Sequence, residues 1–228
     1  IDTDVLNPAV DPLIYANFDA STLEKKAENK QFLQQRLGLA VRDVPMVIMI
    51  TRLVGHKGVD LVQAVMDDLM WDDLQLVIIG TGERQYEDMF RAYAANFPAK
   101  MSANIVFDNT LAHQAYAGAD LVLMPSKQEP CGLTQLIAMR YGTIPVVRET
   151  GGLFDTVPAY NVETGEGNGF TFKSYNAHDM LDAVRRGESL FYNDKEHWTA
   201  LQKSVMAYDS SWKRSVQEYW DIYHSLTG

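Results

Sequence analysis

The sequence has a single cysteine, Cys131, among its 228 residues. One thiol cannot form an internal disulfide, and such sparse use is typical of a reducing compartment. Long apolar runs are also missing: the strictly apolar run 46–50 has five residues, whereas crossing a bilayer takes roughly 20. No basic segment followed by an apolar stretch opens the chain, so no signal peptide is predicted. We therefore expect a cytoplasmic protein that does not enter membranes.

Positive charge is scarce as well. The chain has 20 lysines and arginines against 30 aspartates and glutamates, a formal net charge of -10. This balance argues against a nucleic-acid surface, and an anionic ligand would need a local basic spot. The five histidines show no spacing typical of metal ligands, so no metal site is expected. The remaining composition, 46% hydrophobic and 22% charged, is ordinary for a globular protein.

Apolar strands and amphipathic helices alternate along the chain, and the strands are continuously apolar rather than alternating. Continuous apolar strands are buried on both faces, as in a parallel sheet covered by helices. The predicted strands are Val44–Thr51, Leu74–Ile79, Asn104–Phe107, Leu121–Met124, Ile144–Val147 and Gly169–Phe172. The predicted helices are Ser21–Leu37, Gly58–Leu69, Glu83–Asn96, Leu111–Gly118, Leu133–Tyr141 and Ser211–Leu226, with residues 150–169 as loop and the rest after Phe172 helical.

This order predicts an α/β fold, a doubly wound parallel sheet with a C-terminal helical extension. We expect one domain over residues 1–228, led in by a linker-like segment 1–20. The first helix should start at the capping box Ser21-x-x-Glu24. The last helix, about 211–226, is rich in aromatic residues at helical spacing. Ligands of such sheets bind beyond the carboxyl ends of the strands, at the topological switch point.

The segment 129–135, Glu-Pro-Cys-Gly-Leu-Thr-Gln, joins a fully apolar strand to a helix. The first amides of a helix have no acceptor within it, so they attract anions and can also bind sugar hydroxyls. Glu129 precedes the first helical turn and is free to contact a ligand, although a surface acid near a helix dipole is an alternative. Cys131 lacks a His/Asn partner set, which argues against a nucleophilic role.

Arg52 and Lys57 follow the first strand in a glycine-bearing loop. Two cations at a strand's carboxyl end are placed to neutralise a diphosphate, and two solvated loop cations are the alternative. Phe107 at a strand end could stack on a nucleobase, although an aromatic there is more often core. The run 80–82, Gly-Thr-Gly, lacks the third glycine of a dinucleotide fingerprint and is interpreted as a turn.

Together these segments closely resemble the C-terminal half of bacterial glycogen synthases and plant starch synthases, which are retaining glucosyltransferases of the GT-B architecture. The resemblance covers nearly the whole chain, and Glu-Pro-Cys-Gly-Leu-Thr-Gln followed by Arg-Tyr-Gly-Thr is its most specific part. The matching segments are Ile1-Asp2-Thr3-Asp4, Asn7-Pro8, Arg52-Leu53, Lys57-Gly58, Gly80-Thr81-Gly82-Glu83, Pro125-Ser126 through Gln135, Tyr141 through Pro145, Thr150 through Leu153, Asp155-Thr156-Val157 and Ser211-Trp212 with Tyr219 and Tyr223.

The resemblance implies a role for each matching position. Arg52 and Lys57 correspond to the pair that holds the ADP phosphates and stabilises the departing diphosphate. Glu129 corresponds to the acid that hydrogen-bonds glucose hydroxyls. Phe107 falls where the family usually has a tyrosine against the adenine. The amides that meet the distal phosphate and the sugar correspond to those around Cys131, Gly132, Leu133 and Thr134.

The family transfers glucose from ADP-glucose to the non-reducing end of an α-1,4-glucan, with retention and without a metal. The resemblance therefore implies ADP-glucose, ADP and the glucan as ligands, and no cofactor besides the donor. The family's N-terminal domain, with a Lys-x-Gly-Gly motif and much of the acceptor surface, has no counterpart here. We therefore expect this chain to pair with such a domain and to be inactive alone.

Two other functions stay open at this stage. One is a related GT-B transferase that uses UDP-glucose, and the other is a non-catalytic module that binds a nucleotide or a glucan. The motifs occur in bacteria and plants alike. A bacterial cytoplasmic origin is favoured, and a plant protein would act in the plastid.

Overall fold

Six strands, all paired in parallel, form the central sheet of the computed structural model, which describes residues 1–227. They lie in the order β3-β2-β1-β4-β5-β6, so the order reverses between β1 and β4, which is the topological switch point. The predicted doubly wound sheet is confirmed. The strands are β1 Met46–Ile50, β2 Gln75–Ile79, β3 Met101–Asn104, β4 Leu121–Met124, β5 Ile144–Arg148 and β6 Phe170–Phe172.

Helices connect the strands and cover both faces of the sheet. Three of them follow β6, which confirms the predicted C-terminal helical extension. The helices are α1 Lys25–Leu37, α2 Val59–Ala64, α3 Met66–Trp71, α4 Arg84–Asn96, α5 Asn109–Gly118, α6 Thr134–Arg140, α7 Gly152–Thr156, α8 Ala177–Asn193, α9 Lys195–Ala207 and α10 Trp212–Thr227.

The strands alternate between two hydrophobic cores, one on each face of the sheet. In β1, Val47 and Met49 belong to the core that includes residues of α2, α3, α8 and α9. Met46 and Ile48 belong to the other core, which includes residues of α1 and α5. All four side chains are at most 1% exposed. Burial on both faces is the reason that these strands are continuously apolar in sequence.

The predicted capping box at the start of the first helix is wrong. The α-helix begins at Lys25, and Glu24 at its N-cap position accepts no side-chain capping bond. The hydroxyl of Ser21 donates instead to Asp19 Oδ1, 2.6 Å away, and the amides of Ser21 and Thr22 donate to the same oxygen. Asp19 therefore organises a turn that delays the helix by four residues.

The structure also differs from the prediction in the position of one strand, the continuity of one helix and the presence of one short helix. The strand predicted at 104–107 lies at Met101–Asn104, because residues 101–104 pair with β2 in register. The helix predicted at 58–69 is divided into α2 and α3 at Val65, whose φ of -124° and ψ of 20° are not helical. The loop predicted at 150–169 contains the short helix α7.

Residues 1–20 form turns that pack against the α1/α5 face of the sheet, and Phe18 is only 2% exposed. Asp11 is buried there, with its Oδ2 atom 2.6 Å from the Tyr141 hydroxyl and 2.7 Å from His113 Nδ1. These contacts join the first residues of the chain to α5 and to the end of α6.

Candidate functional site

The loops that follow β1 and β4 meet at the switch point of the sheet. Lys57, in the first loop, lies with its Nζ atom 2.6 Å from Oε2 of Glu129, in the second. Both side chains are mostly buried, at 18% and 11% exposed. The Ser126 hydroxyl donates to the same carboxylate oxygen at 3.1 Å. Two residues that are 72 positions apart in sequence thus form one charged pair.

Backbone packing brings these two loops together. Lys57 ends a 3-10 turn, Gly55–Lys57, and Gly58 follows with a φ of +76°. A Cβ atom on Gly58 would lie 2.2 Å from the Pro125 carbonyl oxygen, so only glycine permits this approach. The Lys127 amide also donates to the His56 carbonyl at 2.9 Å. The position of Lys57 beside Glu129 therefore follows from contacts between the two main chains.

The segment between Glu129 and α6 is held in a defined shape. Gly132 has a φ of +75°, in the left-handed region. The Gln135 side-chain amide lies 2.9 Å from the Gly132 carbonyl and 3.2 Å from that of Cys131. The Gly152 amide donates to the Glu129 carbonyl at 3.0 Å. Since α6 begins at Thr134, its first amides have no acceptor inside the helix.

A cavity of about 280 Å³ opens between these loops. A cation, a carboxylate, a hydroxyl and helix-initial backbone surround it, so it can bind a ligand that carries both an anionic group and hydroxyls. The predicted residues Lys57, Glu129, Gly132, Leu133 and Thr134 all line it. Its other lining residues are Met49, Ile50, Thr51, Leu123, Met124 and Ser126.

Arg52 and Phe107 lie in a second cavity, of about 240 Å³, which shares Ile50 and Thr51 with the first. The Phe107 ring is 95% exposed, so it is not a core residue, which was the alternative from sequence. Within residues 1–227 Arg52 forms no ion pair. Arg52 and Lys57 therefore flank one stretch of backbone from adjoining cavities rather than sharing one.

The loop that carries Arg52 is tied to the end of β2. The Leu53 amide donates to the Thr81 carbonyl at 2.9 Å, and the Glu83 amide donates to the Leu53 carbonyl at 2.8 Å. Gly80 and Thr81 line the same cavity as Arg52 and Phe107. The Gly-Thr-Gly run is thus a turn after β2, as predicted, and it forms a wall of the second cavity.

Cys131 is exposed and does not line the cavity that contains Lys57. It lines a separate groove together with Leu133, Trp212 and Arg214 at the start of α10. Within residues 1–227 no His lies in hydrogen-bond contact with its thiol, whose contact is the Gly132 carbonyl at 3.8 Å.

Sequence reasoning missed Ser126 and Gln135 as residues of the site. Ser126 lies two residues after the end of β4, and its position near a strand end was a usable signal. Gln135 gave no such signal, because its function depends on the fold of residues 131–132 beneath it. Among residues 1–227 no group of three or more His, Cys, Asp or Glu side chains is arranged to hold a metal ion. None of the helices described is long and apolar enough to cross a membrane.

Comparison with known proteins places this geometry in context. Residues 31–198 match the family described as Glycosyl transferases group 1. A glycogen synthase of Clostridium acetobutylicum is 51% identical over 227 residues, which cover 99% of this chain and 48% of that protein. A glycogen synthase of Bacillus cereus strain Q1 is 52% identical, with the same coverage of both. The chain spans about half the length of the curated relatives it matches.

A solved structure with the same fold is the catalytic domain of starch synthase IV from Arabidopsis thaliana, bound to ADP and acarbose. It superposes with a TM-score of 0.91 at 37% identity, over 99% of this chain and 47% of that one. Nearly the whole chain therefore has a structural counterpart in that domain.

Proposed function

Because the chain belongs to the glycosyl transferase group 1 family, we propose that it is the donor-binding half of a glycogen synthase. This enzyme would move glucose from ADP-glucose to the non-reducing end of an α-1,4-glucan with retention of configuration. The observation that carries the proposal is the meeting of Lys57, Glu129 and the start of α6 around one cavity at the switch point. The names of the relatives and the ADP in the starch synthase structure support it.

In the proposed complex the two adjoining cavities divide the donor between them. Lys57 and Arg52 contact the diphosphate from either side of Thr51, and Phe107 stacks on the adenine. Glu129 accepts hydrogen bonds from glucose hydroxyls. The amides around Cys131, Gly132, Leu133 and Thr134 contact the distal phosphate and the sugar, because unpaired amides at the start of a helix point outward and bind anions.

The proposed reaction needs stabilisation of the charge that grows on the diphosphate as the glycosidic bond opens. Lys57 is already fixed within the cavity by Glu129, and the amides at the start of α6 are fixed by the helix. Preorganised groups of this kind can supply several kcal/mol. The proposal requires no metal and no cofactor besides the donor. Glu129 orients the sugar, and it does not attack the anomeric carbon.

The acceptor glucan and the remaining catalytic groups are assigned to a second domain, since the relatives are about twice as long. The aromatic face of α10 is the proposed contact with that domain, because it is far more exposed than a packed helix face. Its exposed residues, at 55–77%, are Trp212, Val216, Tyr219, Trp220, Ile222, Tyr223 and Leu226. The bacterial relatives support the cytoplasm as the place of the reaction.

The experiment measures transfer of radiolabelled glucose to glycogen by the complete protein and by this chain alone. The complete protein should use ADP-glucose and lose most of its activity in Lys57→Ala, while the chain alone should transfer nothing. Activity in the isolated chain would refute the two-domain assignment. Preference for UDP-glucose would identify the related transferase, and absence of transfer with either donor would identify a binding module.

A further inference from the structure

Tyr175 contacts both of the loops that border the cavity containing Lys57. It lies in the loop between β6 and α8 and is partly buried. Its hydroxyl is 2.5 Å from Asp60 Oδ1 and 3.1 Å from the Gly55 carbonyl oxygen, with Asp60 in the first turn of α2. A hydrogen bond to a charged acceptor is stronger than one between neutral groups, so the proton is directed mainly to Asp60.

The ring of Tyr175 also binds two cations. Lys127 Nζ lies 5.7 Å and Arg148 Cζ 5.6 Å from the ring centre, within the range of a cation–π contact. The Arg148 guanidinium donates to the Lys127 carbonyl at 2.9 Å. The ring therefore holds the segment that follows β4 and the end of β5 in one place.

These contacts converge on the two loops of the site. Gly55 begins the 3-10 turn that ends at Lys57, and Lys127 lies two residues before Glu129. The Lys127 amide donates to the His56 carbonyl, which closes the network. Tyr175 thus contacts both members of the loop pair although it is 115 positions from Asp60 in sequence.

The phenol stays protonated near neutral pH. Burial, followed by the hydrogen bond to Asp60, raises the pKa of Tyr175 well above its usual value. The hydroxyl is therefore a permanent donor under physiological conditions.

We propose that Tyr175 is a positioning residue of the donor site. Its hydroxyl holds Asp60, at the start of the helix that follows Lys57, and contacts the Gly55 carbonyl, while its ring fixes the segment that carries Glu129. Together they set the place of the Lys57 ammonium group before the ligand arrives. This inference rests on the proposed function, because it assumes that Lys57 contacts a nucleoside diphosphate.

The test is a calorimetric titration of ADP into the 228-residue chain and a set of variants. Tyr175→Phe keeps the ring between Lys127 and Arg148 but removes the hydroxyl. Tyr192→Phe is the matched control, since its hydroxyl also contacts an aspartate, Asp73, away from both cavities. Lys57→Ala and the double variant Lys57→Ala/Tyr175→Phe show whether Tyr175 acts through Lys57. Thermal unfolding of every variant records its stability.

Tyr175→Phe should weaken ADP binding about three- to tenfold, the scale of coupling within one hydrogen-bonded network. Tyr192→Phe should leave the affinity unchanged, and Tyr175→Phe should have no further effect once Lys57 is alanine. Asp60→Asn keeps an acceptor oxygen and should retain the affinity that Asp60→Ala loses. Normal affinity in Tyr175→Phe, or an equal loss with and without Lys57, would overturn the positioning role. No ADP binding by the wild type would overturn the proposed function itself, and the inference with it.

Discussion

Lys57 and Glu129 neutralise each other in the cavity between the two loops. Their 2.6 Å contact is mostly buried, so each charge would be poorly solvated without the other. A diphosphate offers Lys57 a second anionic partner, and Glu129 then lies close to like charge. In the proposed complex, glucose hydroxyls relieve this repulsion because they donate hydrogen bonds to Glu129. The bare diphosphate lacks such donors.

Glu129→Gln should therefore change the affinities for ADP and for ADP-glucose by different amounts. ADP binding should strengthen by about 1 kcal/mol, because Lys57 loses a competing partner and the diphosphate loses a like-charged neighbour. ADP-glucose should gain less, because an amide is a weaker acceptor for sugar hydroxyls. Calorimetry with both ligands measures the difference. Glu163→Gln, on the exposed 161–167 loop, is the charge-matched control, and weaker ADP binding in Glu129→Gln would contradict this description of the pair.

The residues that sequence could predict are those with a local signal. Lys57 and Glu129 follow apolar strands, and the position of a strand's carboxyl end is visible in sequence. Tyr175 gives no comparable signal. Gly55, Asp60 and Lys127 become neighbours of Tyr175 only when β6, the strand before it, pairs with β5 at the edge of the sheet.

Among the elements, the 3-10 turn and the start of α2 pack closely against the loop that follows β4. Gly58 joins them in a left-handed conformation against the carbonyl of Pro125. A side chain there meets two penalties, the backbone strain of a positive φ and a clash with backbone that cannot rotate away. The approach of the two loops depends on this one glycine.

Gly58→Ala should lower the free energy of unfolding by roughly 3 kcal/mol, combining left-handed strain with overpacking. Gly38→Ala is the matched control, since Gly38 has a φ of +70° but no neighbouring atom within 4 Å of the place where an alanine Cβ would lie. It should cost only about 1 kcal/mol, from strain alone. Urea denaturation of both variants gives the comparison. Equal losses would show that the approach to Pro125 is not tight.

The sequence predicts whether a segment is a strand or a helix where the pattern of buried residues determines it. It does not predict the residues at which these elements begin and end. The strands β1 and β4 are continuously apolar, and β2 is apolar after its first residue, Gln75. All three are buried on both faces, so their sequences indicate a parallel sheet directly. The start of α1 depends on Asp19, which competes for the Ser21 hydroxyl and the amides near it. The shift of β3 to Met101 depends on pairing with β2. Such tertiary competition leaves no periodic pattern in sequence.

On the scale of the whole molecule, Lys26 joins α1 to α5 and to the turn that follows α6. Its ammonium group is buried and lies 2.9–3.0 Å from the carbonyls of Tyr116, Ala117 and Tyr141 and from the Thr143 hydroxyl. Burial lowers the pKa of Lys26 from 10.5 to about 7 in the folded chain. The unfolded chain then binds more protons than the folded one between about pH 7 and 10.5.

The wild type should therefore gain stability as the pH rises above 7, by about 1 kcal/mol per pH unit from this group. Below pH 7 both states hold the proton, and the contribution is constant. Lys26→Met should be less stable because three carbonyls lose their donor, and it should lack this pH-dependent gain. Urea denaturation at about pH 7, near the folded-state pKa, and at about pH 9, below the unfolded-state pKa of 10.5, measures both effects, with exposed Lys203→Met as control. Parallel pH profiles for the wild type and Lys26→Met would contradict the assignment.

The molecule as a whole has a six-stranded doubly wound sheet. Two cavities lie beyond the carboxyl ends of its strands, and the helix α10 is largely exposed. The order of apolar strands predicted the fold and, through the positions of the strand ends, the edge of the sheet at which the cavity lies. It did not predict that Arg52 and Lys57 would line separate cavities. The distance between two cations in a loop depends on the turn at 55–58, which sequence spacing does not define.

The most direct measurement is calorimetric titration of ADP into the 228-residue chain, its Lys57→Ala variant and the exposed-site control Lys203→Ala. We predict saturable binding of one ADP per chain, weakened by about 1–3 kcal/mol in Lys57→Ala and unchanged in Lys203→Ala. Equal affinity in the wild type and Lys57→Ala would contradict the central claim that Lys57 binds the diphosphate at the switch point of the sheet.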